Sequence, residues 1–236
     1  MVDYEFWFGG KSSKEAGINL QRPIQFSGAV PIRDSVRIAG KNGMVHFETH
    51  AFENREGKAD CFVMGENAEQ KFDDVNAFLF GNLSYQVLQT DEDINHFWLA
   101  KVANGADIAV RLKKLAPFSI EFDCKPQRFL VSGNETITAT NGGTITNPTA
   151  FTALPVITVY GSGKGVLNVA GTVVTLSSIN DRVILDCEVQ NAYKGTENLN
   201  NTITAPEFPV LFAGNNEISW SGGITGVEII PRWWTL

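Results

Sequence analysis

Only three histidines occur in the 236 residues, His46, His50 and His96, so the second half of the chain has no imidazole at all. A serine or cysteine nucleophile needs a neighbouring base, and a zinc site needs grouped imidazoles and thiolates; the second half offers neither. Cysteine is equally sparse. Cys61, Cys124 and Cys187 are odd in number, far apart and in no paired motif, which argues against a disulfide framework and points to buried free thiols. Basic charge is short as well: 19 Lys and Arg stand against 26 Asp and Glu, for a net charge of −7 and a pI near 5.0. Gripping a nucleic acid by its phosphates takes clustered bases, so stable DNA binding is not expected. No apolar run approaches membrane-spanning length, and the opening Met1-Val2-Asp3-Tyr4-Glu5-Phe6 puts acids where a signal peptide carries bases. The chain reads as soluble, with no membrane insertion.

What the sequence does have is the 43% hydrophobic and 11% aromatic content of a folded protein, enough for one large β domain or two of ordinary size. Two domains are favoured by a shift in composition. Thr stands only at positions 49 and 90 before residue 133, then fifteen times from Thr136 onward, while Lys and Arg number fifteen before that point and four after it. Lys125-Pro126-Gln127-Arg128 ends a strand-like run and Ser132-Gly133-Asn134 is turn chemistry. The expected division is therefore 1–132 and 133–236.

The first half opens with Tyr4, Phe6 and Phe8 on one face of a strand, closed by Gly9-Gly10. Asn42-Gly43 suits a tight turn between Val36-Arg37-Ile38 and Val45-His46-Phe47, giving a hairpin over about Arg33 to His50 whose apolar set needs cover. One helix is expected from Glu69 to Phe80, since Phe72, Val75, Phe78 and Leu79 fall at helical spacing and Gly81-Asn82 follows. From Glu135 onward, short alternating segments such as Val156–Tyr160, Val166–Val169, Thr172–Leu176 and Val183–Cys187 recur between Gly and Asn. That is the mark of an antiparallel sandwich. The fold class expected is mainly β: an N-terminal β-sandwich with one helix and a hairpin, then a C-terminal antiparallel β-sandwich.

Chemistry is hard to find. Gly161-Ser162-Gly163-Lys164-Gly165 lacks the glycine and the Ser or Thr that a phosphate loop requires, holding Thr158 and Gly165 in those places, and reads as a strand-connecting turn. His46 and His50 lie four apart on a strand, roughly 13 Å from each other, too far to share a metal. The acid groups Asp73-Asp74 and Asp91-Glu92-Asp93 fit solvated faces and caps better than glycosidase carboxylates. No catalytic residue, metal or cofactor is expected.

Four segments resemble siphophage distal tail proteins. Phe6-Trp7-Phe8-Gly9-Gly10-Lys11-Ser12-Ser13 through Ala16-Gly17-Ile18 is similar to their opening, and Ile38-Ala39-Gly40-Lys41-Asn42-Gly43 looks like the turn of their projecting hairpin. Phe122-Asp123-Cys124-Lys125-Pro126-Gln127-Arg128-Phe129 resembles their F-x-C-K-P-x-x-F junction, and Ile229-Ile230-Pro231-Arg232-Trp233-Trp234 their "PRW" ending. The resemblance implies a virion structural protein of the phage tail tip, assembled in the host cytoplasm. Its N-terminal domain would build a homo-hexameric ring, and its C-terminal sandwich would be galectin-like. Partners implied are the tail tube protein, a tail-associated lysin or tail fibre protein, and receptor-binding proteins, around a channel for DNA. In the hairpin, Val36, Ile38, Asn42, Gly43, Val45 and Phe47 would form the subunit interface. The rival is a carbohydrate-binding, lectin-like host-recognition protein. Against it, the second half has no His and only Arg182 and Arg232 for a galectin sugar site. A wall-degrading enzyme ranks below both.

The charge balance makes a direct prediction. At physiological salt the protein leaves the mobility of duplex DNA unchanged, because a chain at −7 repels a polyanion. Salt-dependent, sub-micromolar retardation in a gel-shift titration would contradict it.

Overall fold

Alternating burial organises the computed structural model, which describes residues 4–64, 70–104 and 115–236. The chain divides into two compact units, Met1–Arg128 with Leu236, and Phe129–Thr235, and the change-over falls inside one long strand. The fold is mainly β, antiparallel throughout its described ladders, with one α-helix.

The first unit contains β1 (Phe6–Phe8), β2 (Lys11–Ser12), β3 (Asn19–Leu20), β4 (Gln25–Phe26), β5 (Pro31–Val36), β6 (Val45–Phe52), β7 (Arg55–Met64), α1 (Gln70–Phe80), β8 (Gln86–Thr90), β9 (Asp93–Val102) and most of β10 (Leu115–Leu130). Its main sheet runs β2-β1-β8-β9-β10-β7-β3, with β4 also on β7; β5 and β6 form a sheet of their own. Every second residue points to the core. Phe6 and Phe8, Ala59, Cys61 and Val63, and Phe118, Ile120, Phe122 and Cys124 are buried in one cluster with Leu88, Trp98 and Ala100. Val75, Phe78 and Leu79 bring α1 onto this cluster. The helix ends at Phe80 as its spacing predicts; Glu69, where it is expected to begin, and the Phe72 side chain lie outside the described residues.

Phe122 is the hub of that core. It is fully buried, with ring centroids 5.9 Å from Phe6 and 5.4 Å from Phe8. Lys125 to Arg128 do not end the strand as expected, because β10 continues to Leu130. Its ladder to β7 stops at the Cys124–Arg55 pair. Pro126, which has no N–H to give, therefore costs no hydrogen bond on that side.

The second unit contains β11 (Ile137–Thr138), β12 (Gly143–Asn147), β13 (Val156–Val169), β14 (Thr172–Asp186), β15 (Asn191–Lys194), β16 (Glu197–Asn198), β17 (Ile203–Thr204), β18 (Gly214–Ile230) and the short β19 (Trp234–Thr235). The order is β11-β18-β13-β14-β15-β16, with β12 on β18 and β17 on β14. The glycine stretch expected to connect two strands instead lies inside β13, whose register to β14 shifts between Gly163 and Gly165. Its ladder to β18 is irregular over the same span. The two backbones approach so closely that a Cβ on Gly161 would sit 2.1 Å from the Gly223 carbonyl oxygen, and one on Gly223 1.8 Å from that of Ser162. Bulges of this kind bend strands and let one strand serve two layers. Leu167, Val169, Val174, Leu176 and Ile218 before the bend share a core with Ile157, Val159, Val183, Leu185, Val227 and Ile229 beyond it. A sandwich results from long strands folded at glycine.

The "PRW" ending closes this unit. Leu130 N–H donates to the Trp233 carbonyl at 2.9 Å and Arg232 N–H to that of Gly133 at 2.8 Å. A Cβ on Gly133 would lie 2.5 Å from Trp233 N, so the glycine admits the strand end. The Arg232 guanidinium makes bonds of 2.8 and 3.1 Å to the two Asp186 oxygens. Burial alone would raise Asp186, but the bonds and charge of Arg232 hold its carboxyl below the usual carboxylate range.

Truncating the central ring tests the first core. Phe122→Ala is expected to destabilise the protein by about 3–5 kcal/mol, read as a lower urea midpoint, with Phe122→Leu costing clearly less.

Candidate subunit-contact hairpin

β5 and β6 pair Arg33 with Glu48, Asp34 with Phe47, Ser35 with His46 and Val36 with Val45. Because side chains alternate, this register sorts them by chemistry. One face carries the Arg33–Glu48 ion pair at 3.0 Å and the Ser35–His46 hydrogen bond at 2.8 Å. The other carries the apolar Val36, Val45 and Phe47, with one acid, Asp34, opposite Phe47. Among the described residues nothing covers that second face: Val36 is 49% and Phe47 57% exposed. Val45 is half-buried.

Asn42-Gly43 does not make the expected tight reversal. The strands end at the Val36–Val45 pair, and residues 37–44 form a longer loop. The hydrogen-bonded turn is Ile38-Ala39-Gly40-Lys41, where Lys41 N–H donates to the Ile38 carbonyl at 3.2 Å and Gly40 has φ +80°. Glycine at the third position of such a turn is what a type II reversal requires. Of the expected contact residues, the structure therefore gathers Val36, Val45 and Phe47 on one face and leaves Ile38, Asn42 and Gly43 in the loop. Ile32, on β5, and Met44, in the loop, are further exposed apolar residues of the hairpin. The Val30/Ile32 alternation is the sequence signal for the longer strand.

Among the described residues, hydrogen bonds fasten the hairpin at its base. Glu53 N–H donates to the Val30 carbonyl at 2.9 Å, Arg55 Nε–H to the Ser27 carbonyl at 2.7 Å, and Glu56 N–H to Ser27 Oγ at 2.9 Å. Sequence spacing gives no sign of these anchors, because they join residues far apart in the chain, Arg55 and Ser27 by 28 positions.

Elsewhere the reactive side chains are occupied structurally. His96 Nδ1 meets Asp93 Oδ1 at 2.7 Å, and Asp91 Oδ2 accepts from Glu5 N–H at 3.0 Å. Asp73 and Asp74 are exposed on α1. All three thiols are buried, and burial, reinforced by the preceding carboxylates Asp60, Asp123 and Asp186, pushes each up to about 12. They are poor nucleophiles. Among the described residues, no three His, Cys, Asp or Glu side chains group as metal ligands, and no helix is long and apolar enough to cross a membrane. Trp233 is buried in the second core, and Trp234 stacks on Phe151 at 4.4 Å with its Nε1–H on the Thr152 carbonyl. Trp220 is half-buried against the same core.

No family model matches the sequence, and no curated protein matches it. Among solved structures, the chain is similar to the crystal structure of SPP1 Dit (gp 19.1), described as a paradigm of the hub adsorption apparatus in phages that infect Gram-positive hosts. The match has a TM-score of 0.73 and covers 97% of each chain at 12% identity. The fold is that of Dit. It takes in both units, so the Dit fold accounts for the sheet with its helix and for the sandwich alike.

Exposed apolar residues contribute little to the stability of the chain that carries them. Val36→Ser and Phe47→Ser are each expected to move the unfolding free energy of the isolated chain by less than about 0.5 kcal/mol, as read by urea denaturation. A loss of several kcal/mol would mean that this face packs on its own unit.

Proposed function

We propose that the chain is a structural protein of a phage tail, the hub that joins the tail tube to the host-adsorption device. The observation that carries this reading is the likeness to Dit across both units. In the proposed assembly six copies close into a ring through residues 1–132, leaving a channel for DNA, and residues 133–236 supply the docking surface for a lysin or fibre protein and for receptor-binding proteins. The role is geometric and not enzymatic. Its site is the virion tail tip, reached after assembly in the host cytoplasm.

The hairpin supports the ring part of the proposal. A two-stranded ribbon is marginal in water by itself, and among the described residues this one pairs with no third strand. With Val36 and Phe47 uncovered, the apolar face calls for a partner, and a head-to-tail contact repeated around a closed ring would cover it once per subunit.

Light scattering tests both parts. A species near six times 25.8 kDa, about 155 kDa, is expected, and replacing Val36 to Phe47 with a short Gly-Ser linker is expected to leave folded monomers. A parent protein that stays monomeric at high concentration argues against the ring. A linker variant that still assembles, or that unfolds by circular dichroism, argues against the hairpin as the arm.

A further inference from the structure

Three Asn-Gly pairs occur in the chain, at Asn42-Gly43, Asn104-Gly105 and Asn141-Gly142. In such a pair the amide nitrogen of the glycine can attack the asparagine side-chain carbonyl carbon, since no Cβ shields it. A bond forms between that nitrogen and Cγ, the Cγ–amide bond breaks, and ammonia leaves. Water then opens the resulting succinimide to aspartate or isoaspartate. No oxidant, metal or enzyme is needed, only a free amide and a free side chain.

The structure separates the pairs on that criterion. At Asn141 the side chain is held twice, Nδ2 donating to the Trp220 carbonyl at 3.0 Å and Oδ1 accepting from Trp220 N–H at 2.8 Å. The Gly142 N–H is spent on the Ile218 carbonyl at 2.9 Å. Asn104 is held too, by the Ser119 carbonyl at 3.2 Å and Glu121 N–H at 2.8 Å, while Gly105 lies outside the described residues. Asn42 and Gly43 are both exposed, in a stretch of the loop past its one hydrogen-bonded turn. Neither the Asn42 side chain nor the Gly43 N–H has a hydrogen-bond partner among the described residues, and a Cβ on Gly43 would meet nothing within 4 Å.

We propose that Asn42-Gly43 is a site of spontaneous deamidation, which adds a carboxylate at the tip of the hairpin, between the exposed Ile38 and Met44, in a chain already at −7. The proposal concerns the loop of the unassembled chain, and the native sample is aged at a concentration where light scattering shows monomers, so that covering of the loop by a neighbouring subunit does not bear on the outcome. Three hydrogen bonds must open before Asn141 reacts and none before Asn42, so the rates differ on the order of 100-fold.

Peptide mapping by mass spectrometry of protein aged in mildly alkaline buffer, native and urea-unfolded, is the test. The native protein is expected to gain about one mass unit at the Asn42 peptide long before the Asn141 peptide, and the unfolded protein to gain it at both with similar rates. Asn42→Gln keeps an amide but requires a larger, slower-forming ring, and is expected to abolish the early gain. Equal native rates at Asn42 and Asn141 would overturn the proposal, as would protection of Asn42 by folding to the extent seen at Asn141.

Discussion

The contact on which the second unit depends is one between backbones. At the bend, β13 and β18 come together where Gly161 faces Gly223, with carbonyl oxygens occupying the space a Cβ would need. Only glycine tolerates that approach. Without it the strands would run straight, and Leu167 and Val169 would be carried away from Val159 and Val227 instead of sharing a core with them. The long strands thus supply both layers of the sandwich, and the connections between layers cost no extra loops.

The same glycines explain where the sequence misleads. Alternation located the buried faces well: Phe6 and Phe8, Phe118, Ile120, Phe122 and Cys124, and Val183 and Leu185 all point inward as their spacing implies. The helix was equally legible, because Val75, Phe78 and Leu79 answer to one face. Glycine and proline were misread as ends. Gly161 to Gly165 and Pro126 sit inside strands, the first as a bulge and the second past the end of the ladder to β7. A local signal for a break in chain direction does not say whether the chain turns back or only bends, since that depends on the strand opposite. In the hairpin, Val36, Val45 and Phe47 were readable as an apolar set, yet the turn was not. Gly40 and Gly43 both have positive φ, near +80°, and composition alone does not rank two such candidates.

At 12% identity the Dit fold is kept with few of the same side chains. The features that organise this chain help to explain how. Its cores ask for any apolar residue of suitable size at alternate positions, its bends ask for glycine, and its C-terminal closure asks for a small residue at Gly133 and an arginine able to reach Asp186. Such demands fix a few positions tightly and leave most surface positions open.

A hairpin held at its base, at Val30, Ser27 and their partners, would have compliance. A stiff contact repeated head to tail must have the correct angle built into it, and a small error turns a ring into an open spiral. A ribbon hinged at one end can tilt by a few degrees while its ladder stays intact. Closure of the circle would then select the angle, and the precision demanded of each interface would be distributed around the whole assembly.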